Sequence, residues 1–98
     1  MTERISLFLS NTELFVGCNI EKAAGKLVLT TPPSEATEII GVNAQRLVDA
    51  MPSRDEIVLT GTMAIWAYLV VFHVVLHQFR RVYYEDGMKN RILIAAHG

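Results

Sequence analysis

His73 and His77 stand four residues apart near the end of the most apolar run in the chain. On a helix that spacing puts both imidazoles on one face, where they could hold one divalent metal. Without a metal, His73 is a core-edge histidine and His77 a solvated one. The glutamate that follows the first histidine of a hydrolytic zinc helix is absent. Gly61 closes a β-like run ahead of the same helix, so the backbone amides of Thr62, Met63 and Ala64 would point outward as a phosphate cradle; the plain alternative is a tight turn. Glu85 and Asp86 follow the next β-like run, and Arg80, Arg81, Lys89 and Arg91 surround them in sequence with positive charge suited to a phosphate. His97 ends the last run. Trp66, Tyr83 and Tyr84 could stack a base, although packing is the usual job of aromatic rings. Cys18 reads as a buried, inert thiol.

The elements that must position these groups follow from pattern. "ISLFLS" (Ile5–Ser10) and "LFVGCNI" (Leu14–Ile20) alternate like strands, and Asn11 between them suits the turn of a hairpin. "KLVLTT" (Lys26–Thr31) reads as a third strand, stopped by Pro32 and Pro33. Two short helices come next, one capped by Ser34 and one by Asn43, the second ending at Met51 before Pro52. Asp55–Gly61 is dense in β-branched residues and reads as a strand. Thr62–Gln78 is a helix of about four and a half turns. Arg81–Glu85 is a strand, Asp86–Gly87 a turn, and Asn90–His97 the closing strand. Strand, helix, strand and added edge make a βαβ unit over residues 56–85. The fold expected is therefore α/β: one small domain, a mixed β-sheet and one long buried helix. One difficulty comes with it. At 1.5 Å per residue His73 lies about 15 Å along the helix from its start, so Gly61, His73 and Glu85 cannot form one site inside one subunit. Either they do different jobs or sites are completed across subunits.

Composition narrows the class. The chain has 98 residues, room for one core. It is 51% hydrophobic, an excess that a homodimer interface would bury. The formal net charge is −1, which argues against a strongly basic partner for double-stranded DNA. Residues 1–56 carry a net −3 and residues 57–98 a net +2, so a small anion would meet the second half. One cysteine excludes an intrachain disulfide and suits a reducing, cytoplasmic compartment. The start "MTERISLFLSNTE" does not read as a secretory signal. Ile57–Leu76 reaches the roughly 20 apolar residues of a membrane span only by joining strand to helix through Thr60, Gly61 and Thr62. No membrane partner is expected.

"VLTGTMAIW" followed by His73 resembles a motif of the Csx-three family, small accessory proteins of type III CRISPR systems described as ring nucleases. The family pattern is a strand, then "GRxPIWL" opening a helix, then a histidine twelve positions after the glycine. Gly61, Ile65, Trp66 and His73 reproduce it, and Tyr84-Glu85-Asp86-Gly87 with the strand to His97 stand where the family has a "YDPR"-like turn and a strand ending near a histidine. Thr62 replaces the family arginine, Ala64 its proline, and no arginine follows Asp86. The resemblance covers residues 56–97.

It implies a Rossmann-like variant related to the CARF domains that sense cyclic oligoadenylates. It implies binding and manganese-assisted cleavage of cyclic tetra-adenylate by a homodimer or tetramer, which would switch off CRISPR signalling, or removal of adenylates from an RNA 3′ end. His73 would be the catalytic histidine, with Glu85 and Asp86 at the functional acidic place. Gly61, Thr62, Met63, Ala64, Trp66, Arg80, Arg81 and His97 would bind ligand. His73, His77 and Glu85 would be the candidates to hold Mn²⁺.

Overall fold

The computed structural model describes residues 1–97. In chain order the elements are β1 (Thr2–Ser6), α1 (Thr12–Phe15), β2 (Ile20–Ala23), β3 (Lys26–Leu29), α2 (Pro33–Asp49), β4 (Glu56–Thr60), α3 (Ile65–Leu76), β5 (Arg81–Glu85) and β6 (Arg91–Ala96). The main sheet has the order β1-β4-β5-β6. β1, β4 and β5 run parallel, and β6 returns antiparallel along β5 with a bulge between Val82 and Tyr83. β2 and β3 form a separate hairpin, turned at Ala24 and Gly25, both at positive φ. This is the α/β fold with a mixed sheet that the residue pattern predicts.

The alternation along each strand sorts the sheet into two faces. Ile5, Ile57, Leu59 and Val82 point to one side and join the core with Ile40, Ala44 and Val48 of α2 and Ala67, Val71 and Val75 of α3. The helices pack against each other, and Gly41 of α2 sits where an added Cβ would meet Val70 of α3 at 3.5 Å. Among the described residues no helix covers the other side of the sheet, which is mostly polar. Arg4, Glu56, Arg81, Glu85 and Arg91 lie on it, ion-paired as Arg4–Glu85, Arg91–Glu85 and Arg81–Glu56 at 3.1, 3.8 and 3.2 Å. Val58, between Arg4 and Tyr83 in register, is buried there.

Four expectations need correction. The first run does not pair with the second. β1 is a parallel partner of β4, and Leu14 and Phe15 are both buried in the single turn of α1, an arrangement that alternation forbids. The segment from Pro33 to Asp49 is one continuous helix, not two. Asn43 caps neither half: its side chain is buried inside α2 and donates to the carbonyls of Leu14 and Val16. α3 begins at Ile65 rather than Thr62, and only one of its faces is buried. Ile65 and Leu69 stay 78% and 60% exposed, on a stripe that continues to His73 and His77. Finally, the turn after β5 is longer than a two-residue Asp-Gly hairpin. Asp86 closes it by accepting from the backbone N–H groups of Met88 and Asn90, and Lys89 takes the left-handed conformation. Among the described residues no helix is long and apolar enough to cross a membrane.

Candidate functional site

A cleft of about 810 Å³ opens at the carboxyl ends of β4 and β5, between the first half of α3 and the β5–β6 hairpin. Its position follows from topology: parallel strands end together, and the chain leaves them in loops that leave a crevice. Leu59, Val82 and Tyr84 line it from the sheet, and Tyr68, Leu69 and Phe72 from α3. The Tyr68 and Tyr84 rings meet edge to face with centroids 5.5 Å apart. The Tyr68 hydroxyl donates to the Gly61 carbonyl, and burial, then the neighbouring Tyr84, pushes its pKa up to about 12. Tyr68 is therefore a neutral donor fixed to the loop after β4, not an acid.

Gly61, Thr62, Met63, Glu85 and Asp86 line this cleft together with Arg4 and Lys89. Ile65, Tyr83 and Tyr84 line it as well, and the other residues singled out from sequence lie elsewhere. Thr62, Met63 and Ala64 form the approach to α3 rather than its first turn, so the first-turn amides belong to Ile65 and Trp66. The Trp66 side chain packs against the core. His73 is exposed on α3 one turn beyond Leu69. His77 and His97 come together, ring centroids 5.9 Å apart, at the amino end of β5, where the His97 N–H donates to the Arg80 carbonyl. Arg81 is held by Glu56. The two ends of β5 are about 13 Å apart at ~3.3 Å per residue. One protomer thus divides the set, with carboxylates and glycine loop at one end and imidazoles at or toward the other.

Each carboxylate is already engaged. Glu85 accepts two hydrogen bonds from Arg4, at 3.1 and 3.3 Å. That bond first, and then the charges of Arg4, Arg91 and Lys89, hold its pKa below the usual carboxylate range against the pull of desolvation. Asp86 is lowered by the backbone N–H and side-chain amide of Asn90 and by the N–H of Met88. Glu56 is lowered by hydrogen bonds from Thr2, Tyr83 and Arg81. Among the described residues no three His, Cys, Asp or Glu side chains converge to hold a metal ion. His73, His77 and Glu85 do not fit manganese within one protomer, because Glu85 lines the cleft at one end of β5 and His77 lies at the other.

Arg4 is the site residue that sequence reasoning missed. It reaches Glu85 only because β1 and β5 both flank β4 in register, and nothing local to "TERIS" signals that. Tyr68 was hidden for a similar reason: its partner, Gly61, lies two helical turns earlier.

The lowered carboxylates give the stability a defined pH dependence. A folded-state pKa below the unfolded value contributes stability that is complete above about pH 5 and is lost as pH falls through the folded pKa. The melting temperature should therefore be level from neutral pH to about 5 and fall below about 4. Glu85→Gln should lower it by a few degrees at neutral pH, and the gap from wild type should close toward pH 2 or 3. A gap independent of pH in thermal melts would show that the Arg4–Glu85–Arg91 cluster is not what titrates.

No family model, no curated protein and no solved structure matches this chain.

Proposed function

We propose that this chain binds a cyclic oligoadenylate, cyclic tetra-adenylate by the resemblance of its motif, and cleaves the ring in a site assembled from more than one protomer. The observation that carries this reading is the cleft at the carboxyl ends of β4 and β5. Its apolar lining and paired tyrosines suit adenine faces. Its rim brings Arg4 and Lys89 beside the Gly61–Met63 loop, which suits non-bridging phosphate oxygens.

The reaction is transesterification within the ring. A ribose 2′-oxygen forms a bond to the adjacent phosphorus, and the bond from that phosphorus to O5′ breaks. An imidazole takes the 2′ proton, and O5′ gains a proton as it leaves, giving a linear oligoadenylate with a 2′,3′-cyclic phosphate. The base is His73. Because it stands outside the cleft of its own protomer, it serves the cleft of a neighbour. Glu85 acts through Arg4, holding the guanidinium at the rim. Asp86 acts through its loop, holding Lys89 beside it.

The test is incubation of the purified protein with radiolabelled cyclic tetra-adenylate, in manganese and in chelator, with a 3′-adenylated RNA run in parallel. Wild type is expected to yield linear products from the ring. His73→Ala is expected to lose about a hundredfold in rate while still binding. Bound ring with no product from wild type overturns cleavage and leaves a binding module; shortening of the RNA alone moves the activity to RNA ends.

A further inference from the structure

We infer that β6 is an interface, pairing antiparallel with β6 of a second copy to continue the sheet from four strands to eight. β6 is the outer strand of the main sheet, so among the described residues the N–H and C=O groups on its far side meet no strand. Edge strands are normally protected by charge, by proline or by a covering element. β1, at the opposite edge, is protected by charge, with Glu3 and Arg4 along its five residues. β6 is not. Ile92, Leu93 and Ile94 are 45%, 51% and 51% exposed, and no proline or lysine interrupts Arg91–Ala96.

The helix layer stops short of it as well. Ile94 lines the cleft with Ile65 and Leu69 of α3, and His77 meets His97, so the exposed stripe of α3 overlooks β6. On the helix-facing side Ile92 and Ile94 of β6 join Ile65 and Leu69 of α3 beside the open backbone edge, while Leu93, opposite Tyr83, faces the other side of the sheet. Apolar side chains on both faces of an unpaired edge suit pairing with another strand rather than contact with water.

A second copy fits this edge better than a foreign strand. Two identical edges related by a two-fold axis meet antiparallel, a closed arrangement that exhausts both edges. That direction also brings an imidazole of one copy toward a carboxylate of the other. The Arg91 end of β6, paired in register with Glu85, would lie beside the His97 end of the partner strand. Two strand spacings, about 10 Å, would then separate Glu85 from the partner's His97. This last step rests on the proposed cleavage reading; the pairing itself does not.

Sedimentation equilibrium from low micromolar to about 100 µM tests the pairing. Wild type should show twice the 11.0 kDa chain mass. Leu93→Lys and Ile94→Lys, both at exposed positions, should weaken association at least about a hundredfold with unchanged far-ultraviolet circular dichroism. Thr2→Lys on the β1 edge should leave it intact. Hydrogen exchange supplies a readout free of substitution: the outward β6 amides should gain protection as concentration rises. A wild type that stays monomeric, or a dimer that survives both β6 substitutions, overturns the interface. Loss of the dimer with cleavage of cyclic tetra-adenylate retained overturns the shared site and leaves cleavage standing. A β6-dependent dimer that binds no ring upholds the interface and sinks the cleavage reading.

Discussion

Gly61→Ala is expected to cost about 4 kcal/mol, a large share of the stability available to a chain of this size. Gly61 has φ +118°, and a Cβ added there would lie 2.7 Å from the backbone nitrogen of Phe8 and 2.9 Å from that of Leu7. Neither atom is the tip of a flexible side chain. The chain leaving β1 crosses directly over Gly61, and it cannot retreat easily, because the Leu7 N–H donates to the Thr60 carbonyl at 2.6 Å. Two costs therefore add: a left-handed alanine at about 1–3 kcal/mol and overpacking against backbone at about 1–3 kcal/mol. Gly25 separates them. It also has positive φ, +78°, but an added Cβ there meets nothing within 4 Å, so Gly25→Ala should show strain alone, about 1 kcal/mol. In thermal melts the expected losses are about 20 °C for Gly61→Ala and about 5 °C for Gly25→Ala. Equal losses at the two positions would mean that the crossing strand gives way and that close approach is not why glycine stands at 61. The result bears on function too. A glycine that reads as a phosphate turn is, in this fold, first a crossing point between β1 and the exit of β4.

That double reading marks what was legible in the residues and what was not. The second half of the fold was legible because its signals are local. The run "EIVLT" is β-rich, the apolar segment after it is too long for a strand, and Asp86-Gly87 marks the return. The first half hides its logic in distant pairs. Gly41 and Asn43 look like helix punctuation and predict a break in what is one helix. Gly41 instead sits inside the helix facing Val70 of α3, and Asn43 serves α1, 27 to 29 residues away in sequence. Asn11 suits a turn and so predicts a hairpin for the first run. Asn11 does make local bonds, donating to the Ser6 carbonyl and accepting from Leu14 and Phe15, but they start a helical turn. The candidate site shows the same split. Gly61, Glu85 and Asp86 could be placed at one end of the sheet by βαβ topology, and the distance to His73 followed from helical rise. Arg4 could not be found, because its role depends on a parallel register 81 residues long in sequence separation.

The second large effect is expected at Asn43. It is 3% exposed, and its amide donates to the carbonyls of Leu14 and Val16, each at 2.8 Å. α1 has only four residues and cannot persist by its own hydrogen bonds. Two things hold it: burial of Leu14 and Phe15, and this amide at its carboxyl end. Asn43→Leu would keep the volume and remove the donor. The buried Leu14 carbonyl and the partly buried Val16 carbonyl would then lack a partner, a loss of about 2–3 kcal/mol, or about 10–20 °C in melting temperature. Asn43→Asp is the sharper variant. A carboxylate there would face two carbonyl oxygens, whereas its protonated form can still donate to one of them. The folded-state pKa of the new aspartate would be raised, so its penalty would grow as pH rises through the unfolded value near 4 and shrink on acidification. Wild type loses stability on acidification through its lowered carboxylates, so the difference between Asn43→Asp and wild type should narrow steadily from pH 7 to pH 4. A difference that stays constant over that range would show that the site does not need a donor, and that α1 is held by its buried side chains alone.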